Sequence, residues 1–586
     1  MLEPERRWAI PAPVAIPDDL APAVERWGLA RPLTEILVRR RCSTSADVDR
    51  FLGPAEAALH DPALLPDAGI ALRRVEEALA RGERVLVVGD FDADGLSALV
   101  LLAGALRRKG LPVLPFVPDR LIDGHGLPVR AVERAVESGC RLIITVDCGT
   151  SSAQEIALAA RAGIDVIVTD HHAMPEQPPA PLALVNPRRP DSLYPEHRLT
   201  GSGVAFKFAQ LLLGGGAGAA AAALDLADLA AIGTVSDVAP LMGENRAIVR
   251  LGLEQMRRNP RPGIAALLAS AGVPADRLDV EALAYLLVPR LNAAGRMGDA
   301  SAAARLLGAG NAERAASLAA DLEALNRQRR DAVTEVMVQA EANLDDAPAD
   351  DSAVVVAGPW PIGIIGIVAG RLADSRGLPT VVISTAASPW RGSARGNGEL
   401  DLAAAFAACA PHLLRHGGHP EAAGCDLEPA AYEAFRAAFL GLATVARPVQ
   451  GEAALVLDAV VPAGDLDYLL HRQLALLDPV GPGNPPPLLG VEDAEVTRVR
   501  AATGGHTQLT IRRGRDVVDA VAFGRSDLAD RVRPGDRLDL AAALDSRLFG
   551  GYESLQLLVH DVGPAGLIAG LRAVGAVDGY GAEAVG

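Results

Sequence analysis

RVLVVGDFDADG, residues 84–95, is an apolar run that ends in three carboxylates. Val85, Leu86, Val87 and Val88 have the length and composition of a short buried strand. Asp90, Asp92 and Asp94 follow at alternate positions, closed by Gly95. In extended backbone such positions share one face, which predicts three acids pointing the same way. Carboxylates that close repel one another unless a cation lies among them. An acid that ends a strand and caps the next helix accounts for one of the three but not for all. The stretch therefore predicts a metal site.

The surrounding pattern repeats the motif. A helix over 96–109 and another over 128–138 precede a strand at 142–146 that ends in Asp147-Cys148-Gly149. A helix over 152–162 precedes a strand at 166–169 that ends in Asp170-His171-His172. Strands alternating with helices are parallel, so all their acids fall along one edge, where open α/β sheets bind ligands. Beyond them, LADLAAIGTVSDVAPL (226–241) predicts a helix ending near Gly233 and a turn carrying Asp237. The candidate ligands are thus Asp90, Asp92, Asp94, Asp147, His171 and Asp237, with Asp170 and His172 beside them. Hard carboxylates with imidazole suit Mn²⁺ or Mg²⁺. So many acids exceed the needs of one ion, which predicts a two-metal site with Asp147 bridging, of the kind that activates water against phosphoesters.

The expected organisation is α/β throughout: a helical N-terminal region (1–75), a parallel-sheet domain (76–258), a helical linker (259–350), a smaller α/β domain (351–446), an OB-type β-barrel (447–563) and a tail (564–586). In the first region SADVDRFLG reads as a helix with Ser45 as its cap. In the linker, LVPRLNAAGRMGD (287–299) reads as an interruption, 311–343 as one long helix or a broken pair, and DDAPADD (345–351) as an acidic boundary. In the smaller domain, AVVVAG and TVVIS are strands around a helix at 364–377, while RGSARGNG (391–398) and HGGHPEAAG (416–424) read as glycine-punctuated turns.

With 56 basic and 73 acidic residues the net charge is −17, which argues against a protein coated by nucleic acid but leaves room for a local basic groove. Five scattered cysteines with no CxxC pair point to a reducing compartment and away from a zinc ribbon. The N-terminus has no apolar signal core, and the uncharged, Gly/Ala-rich run 208–224 is too short to span a bilayer, so a soluble cytoplasmic protein is expected.

GDFDADG, VDCG, DHH and GTVSD, in that order, resemble the four motifs of the DHH phosphoesterases. PRLNAAGR, WPIGIIGIVAGRL, RGSAR and GGHPEAAG resemble the signature of the RecJ-type single-stranded-DNA-specific exonucleases within that family. The resemblance runs from about Leu33 to His560 and takes in GPGNPPP (481–487). It implies DHH, DHHA1 and OB domains and a Mn²⁺- or Mg²⁺-dependent enzyme. Such an enzyme degrades single-stranded DNA from the 5′ end to mononucleotides, in recombination and in repair, mismatch repair included. It also implies a monomer whose partners are single-stranded DNA, a single-strand-binding protein and a helicase, with no membrane. Carried onto this chain, Asp92, Asp94, Asp147, His171 and Asp237 correspond to metal ligands, with Asp90 in the same motif. Asp170 would orient His171, and His172 would face the scissile phosphate. Arg296, Ser393, Arg395 and His419 correspond to phosphate-contacting positions. His125 stands where the family usually has tyrosine, and Ser236 where alanine is common.

Simpler readings stand beside these. Ser393 and Arg395 alone would be a solvated loop, and Gly417-Gly418-His419 a helix terminator with a surface histidine. Trp360 and Trp390 read as core, and Phe523, Phe549 and Tyr552 as barrel aromatics that are buried by default. Three other functions share the motifs: a DHH phosphodiesterase for short oligonucleotides or small nucleotides, a family II pyrophosphatase, and a non-catalytic DNA-binding scaffold. The barrel argues against the first two and the complete ligand set against the third.

Overall fold

The computed structural model describes residues 2–10, 12, 14–215, 219–345, 352–396, 398, 400–446, 454–549 and 552–574. The acidic boundary expected at 345–351 lies, beyond Asp345, outside these residues, as do the end of the tail and the Phe549 side chain. The chain divides into two compact units, one of Asp61–Asp237 with Gly252–Gln450, the other of Met1–His60, Val238–Leu251 and Gly451–Gly586.

In the first of these units a five-stranded parallel sheet carries the predicted acids. Its spatial order is Val113–Phe116, Val85–Gly89, Leu142–Val146, Asp165–Thr169, Ala183–Val185. Val85–Gly89 and Leu142–Val146 are buried along their whole length, as central parallel strands require. Helices cover both faces. Val129–Glu137 and Ala153–Arg161 pack their apolar sides, including Val132 and Ile156, on one face. Ala93–Arg108, Gly201–Gly214 and Ala227–Ser236 pack together as a second group. The two outer strands escaped the sequence reading. Both are short, and Pro115 gives one of them the look of a loop, a residue tolerated there because that strand is an edge.

The linker is more continuous than expected. LVPRLNAAGRMGD is not an interruption: Val288–Met297 is helical, entered through a π-helical turn at Leu283–Leu287 with Pro289 in its first turn, where a missing N–H costs nothing. Ala312–Asp345 is one helix, the first of the two predicted alternatives. The smaller α/β portion is a five-stranded sheet ordered Arg415–His419, Ala422–Leu427, Trp390–Arg395, Thr380–Ser384, Val354–Gly358. Both stretches read as glycine turns therefore contain strands. Their small residues let neighbouring side chains close in, as where a Cβ on Gly392 would lie 2.7 Å from Cys425 Sγ. Trp360 is buried and donates from Nε1 to Gln339 Oε1, and Trp390 is half-buried, so both are packing residues.

The second unit contains a closed five-stranded barrel, Leu489–Ala502, His506–Arg513, Asp516–Ala522, Tyr552–Pro564 and Arg537–Phe549 in spatial order, with the last pairing back onto the first. The N-terminal helices Arg31–Arg39 and Ser45–Leu52 share its hydrophobic core. Thr44, not Ser45, caps the latter helix, in a capping box with Asp47. One buried cation organises the segment before the barrel. Arg246, 3 % exposed, lies 4.0 Å over the Phe51 ring and donates to the carbonyls of Leu476, Leu477, Asp478 and Pro479 at 2.6–3.1 Å. Asn484, from GPGNPPP, donates to the Leu477 and Pro479 carbonyls and accepts from Arg40. Removing the guanidinium leaves several buried acceptors without a donor. Arg246→Met should lower stability by about 3 kcal/mol or more; thermal unfolding within about a degree of the parent's would refute this role.

Candidate metal centre and anion pocket

The acids converge, though not by strand alternation. Extended structure stops at Gly89, and the helix begins at Ala93. Asp92 is its N-cap, accepting from the Asp94 and Gly95 amides at 3.0 and 3.1 Å, so the capping role falls to this acid. Asp94, in the first helical turn, reaches across to the start of another helix, where the Gly201 and Ser202 amides donate to its two oxygens at 2.8 and 2.9 Å. Asp90 accepts from the Phe91 amide and meets His125 Nδ1 at 3.0 Å. The His125 ring packs 4.6 Å from Phe91, so the residue that departs from the family pattern is tied to the acid motif. The Ser236 hydroxyl, the other departure, is spent locally on the Gly233 carbonyl.

Two groups of potential ligand atoms result, each within 4.8 Å internally: Asp147, Asp170, His171 and His172 in one, Asp94, His171 and Asp237 in the other. The residue common to both is His171, where Asp147 was expected to be central. Asp90 and Asp92 stand beside these groups, not in them. Close approach requires glycine. A Cβ on Gly201 would fall 2.3 Å from the Asp147 side chain, and one on Gly233 2.1 Å from Asp94 Oδ1. Asp147 itself adopts φ +61°, a left-handed conformation unusual for a residue with a side chain.

Asp170 does not steady the His171 ring as predicted. Its Oδ1 accepts from the His172 ring Nδ1 at 2.7 Å and from the His171 and His172 amides, while Oδ2 accepts from the Thr150 amide. His171 Nε2 instead comes within 3.1 Å of Asp147 Oδ1, and Nδ1 within 3.8 Å of Asp237.

Electrostatics follow from this crowding. Burial and the charges of Asp94, Asp92, Asp90 and Asp170 push the Asp147 carboxyl well above the ordinary carboxylate range. Burial, then Asp90 and Asp94, raise Asp92 to about 6; burial, then Asp94 and Asp92, raise Asp237 to about 8. Burial would raise Asp170 too, but the His172 hydrogen bond and charge outweigh it and hold this acid low. Burial lowers His171 to about 4. For His172 burial is overcome by the Asp170 hydrogen bond and the charges of Asp170, Asp237 and Asp90, which lift it to about 9. A divalent ion fits this donor set. Asp147 Oδ1 is buried without a hydrogen bond, despite the nearby imidazole, and carboxylate oxygens with a neutral imidazole are the ligands of hard cations.

Beside the acids lies a group of guanidiniums. Asn292 Oδ1 accepts from the Ala93 amide at 2.8 Å and so fixes the linker helix, which carries Arg296, to the acid loop. Burial and the charges of Arg120, Arg329 and Arg395 lower Arg296 to about 9. Burial and Arg120 lower Arg395. Arg395 Nη1 donates to Ser393 Oγ at 3.1 Å, and a Cβ on Gly366, in the helix Ile365–Arg376, would touch both side chains. Arg120 stacks 4.7 Å from the Phe91 ring centroid. Among the described residues none of Arg120, Arg296 and Arg395 has an ion pair with an acid. Arg120 and Asn292 were missed from sequence: the first follows an unrecognised strand, and the second lay inside PRLNAAGR without an assigned role. The predicted His419 shares a sheet register with Ala422 and Arg395, but is exposed and makes no polar contact among the described residues.

Comparison with known proteins agrees with this layout. The chain matches the models for the DHH family N-terminal domain over 84–234, the DHHA1 domain over 351–443 and the RecJ OB domain over 457–561. It is 32 % identical to the single-stranded-DNA-specific exonuclease RecJ of Bacillus subtilis, over 96 % of this chain and 71 % of that one. To the Escherichia coli protein of the same name it is 33 % identical, over 84 % and 90 %. The chain belongs to the RecJ family. The crystal structure of RecJ from Thermus thermophilus in complex with Mn²⁺ superposes with a TM-score of 0.80 at 30 % identity, over 95 % of this chain and 79 % of that one. A second structure of that protein, with Mg²⁺, gives 0.74 at 28 % identity, over 95 % and 78 %. No helix among the described residues is long and apolar enough to cross a membrane.

The raised carboxyls predict a measurable linkage. A group whose folded pKa exceeds its unfolded value opposes folding once the pH rises above the unfolded value, and the penalty grows until the folded pKa is passed. Asp147→Asn removes a buried negative charge, so the metal-free variant should melt higher than the metal-free parent at pH 8 to 9, and the gap should shrink toward pH 4. Calorimetry in a chelator checks this, and a variant that melts lower than the parent at pH 9 would contradict it.

Proposed function

We propose that this protein is a divalent-metal-dependent exonuclease that hydrolyses single-stranded DNA from the 5′ end to mononucleotides, in DNA repair and recombination. The observation that carries the reading is the pairing, in one unit, of a largely buried acid–histidine row with three guanidiniums that make no ion pair with an acid among the described residues. An exonuclease must place the terminal linkage at the metals and stop the strand from threading farther. A pocket for the terminal phosphate does both, and Arg120, Arg296 and Arg395 with the Ser393 hydroxyl offer planar forks and a donor matched to its oxygens.

Asp94, Asp147, His171 and Asp237, with Asp90 and Asp92 beside them, are the residues that would hold Mn²⁺ or Mg²⁺. Bound there, such ions supply an activated water and neutralise charge on the phosphoryl oxygens. Asp170 holds the His172 Nδ1, which leaves Nε2–H free to donate toward the scissile phosphate from a ring that is 46 % exposed. The barrel offers a surface for a longer strand. Arg498, Arg500 and Arg547 share one face with Gln508 and Gln556, and Phe523 and Tyr552 are 60 % and 82 % exposed, contrary to the default for barrel aromatics. Arginines that track a backbone and rings on which bases stack are how such barrels hold single strands. Within this reading the enzyme works in the cytoplasm as a monomer, beside a helicase that opens the duplex and a single-strand-binding protein that covers the product.

End-labelled single and double strands with Mn²⁺ test the activity, and Arg395→Ala tests the pocket. One charge-assisted contact is worth about 1.5 to 3 kcal/mol, so the variant should lose about tenfold or more of the preference for 5′-phosphorylated over 5′-hydroxyl strands. An unchanged preference removes Arg395 from the pocket. Binding of a long oligonucleotide should weaken with salt with a log–log slope beyond about −2, given about −0.7 per phosphate neutralised. A nearly flat response would favour a small substrate instead.

A further inference from the structure

Because all five strands of the catalytic sheet are parallel, the turns leaving their carboxyl ends lie in the order of the strands. Along that edge come Arg120, then Asp90, Asp92 and Asp94, then Asp147, then Asp170, His171 and His172, and last the turn after Ala183–Val185, which carries Asn186 and Arg188. Strands lie about 4.8 Å apart, so this row spans roughly 19 Å. It has a cation at each end and the acids between. The first end belongs to the anion pocket. The other has had no role.

That last turn is rigidly built. Asn186 is fully buried, donates to the His172 carbonyl at 2.9 Å and to Thr150 Oγ1 at 3.2 Å, and accepts from the Arg188 amide at 2.8 Å. His197 Nδ1 donates to the Pro187 carbonyl between them at 2.8 Å. The next residue, Arg189, is spent on Asp67, Asp191 and the Leu184 carbonyl. Arg188 differs: it is exposed, and among the described residues its guanidinium has no hydrogen bond or ion pair. An unpaired guanidinium, held by a buried turn at the rim of an acid row yet bonded to none of those acids, is placed for an anion that arrives with the substrate.

We propose that Arg188 is a substrate-positioning residue that grips a backbone phosphate on the 3′ side of the scissile linkage, so that the strand is held at both ends of the metal row. This rests on the exonuclease reading and extends it from the terminal phosphate to the strand that follows. The two grips have separate signatures: the 5′ pocket sets the preference for a terminal phosphate, and Arg188 sets affinity for a charged linkage downstream.

The test is single-turnover release of the 5′ nucleotide with Mn²⁺ from strands that carry one uncharged methylphosphonate at the first, second or third linkage 3′ of the cut. The parent should lose about tenfold in kcat/KM at one of these positions. Arg188→Gln should lose about the same on the all-phosphate strand, through KM rather than kcat, with its 5′-phosphate preference kept. On the variant the methylphosphonate at the sensitive position should cost nothing further, and Arg188→Lys should recover part of the loss. A merely structural role would leave the parent's pattern of methylphosphonate penalties intact in Arg188→Gln, and that result overturns the proposal, as does a variant that cleaves like the parent. A parent that leaves single strands uncut while binding Mn²⁺ overturns the exonuclease reading itself, and the assignment with it.

Discussion

Repulsion among buried carboxylates is the constraint around which the catalytic unit is built. Six acids reach the carboxyl edge of one sheet or the turn beside it, with Asp90, Asp94, Asp147 and Asp170 buried and only Asp237 exposed, and each must find a donor, a proton or a cation. The fold supplies donors unevenly. Asp92 takes the amides of its own helix, Asp94 those of a second helix, and Asp170 three backbone amides and an imidazole. Asp147 is left with an orphaned buried oxygen and an elevated pKa. A structure that satisfied every acid would be more stable and would have nothing left with which to bind an ion.

The anion pocket is the same device with the sign reversed. Arg246 is buried and Arg296 half-buried, both lowered to about 9 by desolvation and neighbouring cations, yet their partners set them apart. Arg246 donates to five carbonyls, which uses its fork within the protein. Arg296 has one carbonyl, that of Gly363, and otherwise faces other guanidiniums. The first is a structural plug and the second a grip for an anion. A phosphodiester placed between the acid row and the arginines completes both sets at once, because its oxygens attract the metal ions on one side and the forks on the other.

Much of this was legible in the sequence because parallel strands impose a rule. An apolar run followed by an acid, repeated with helices between, places those acids on one edge whatever the details of packing. Asp147, Asp170, His171 and His172 were legible in that way, whereas for 311–343 the sequence left one long helix or a broken pair open, and the structure has the single helix Ala312–Asp345. Where the reading slipped, local cues had been given too much weight. Alternation predicted that Asp90, Asp92 and Asp94 share a face, but the chain leaves extended structure at once, and the three acids find three different partners. Glycine-rich stretches were read as turns, whereas in the smaller sheet glycine serves close approach within strands.

The chain by itself determined the parallel sheet, the acid-bearing strand ends and the short-strand barrel, since these follow from hydrophobic period, strand-to-helix alternation and residue chemistry. Tertiary structure decided which acids come within reach of one another, that His171 is common to the two groups of potential ligand atoms, and that Asp170 steadies His172. It also decided that Arg120, Arg296 and Arg395 lie near enough for their charges to act on one another, and that the Arg188 guanidinium, at the far end of the row, has no hydrogen bond or ion pair among the described residues. These outcomes depend on distances between residues tens to hundreds of positions apart, set by how helices dock on a sheet, and no local pattern encodes them.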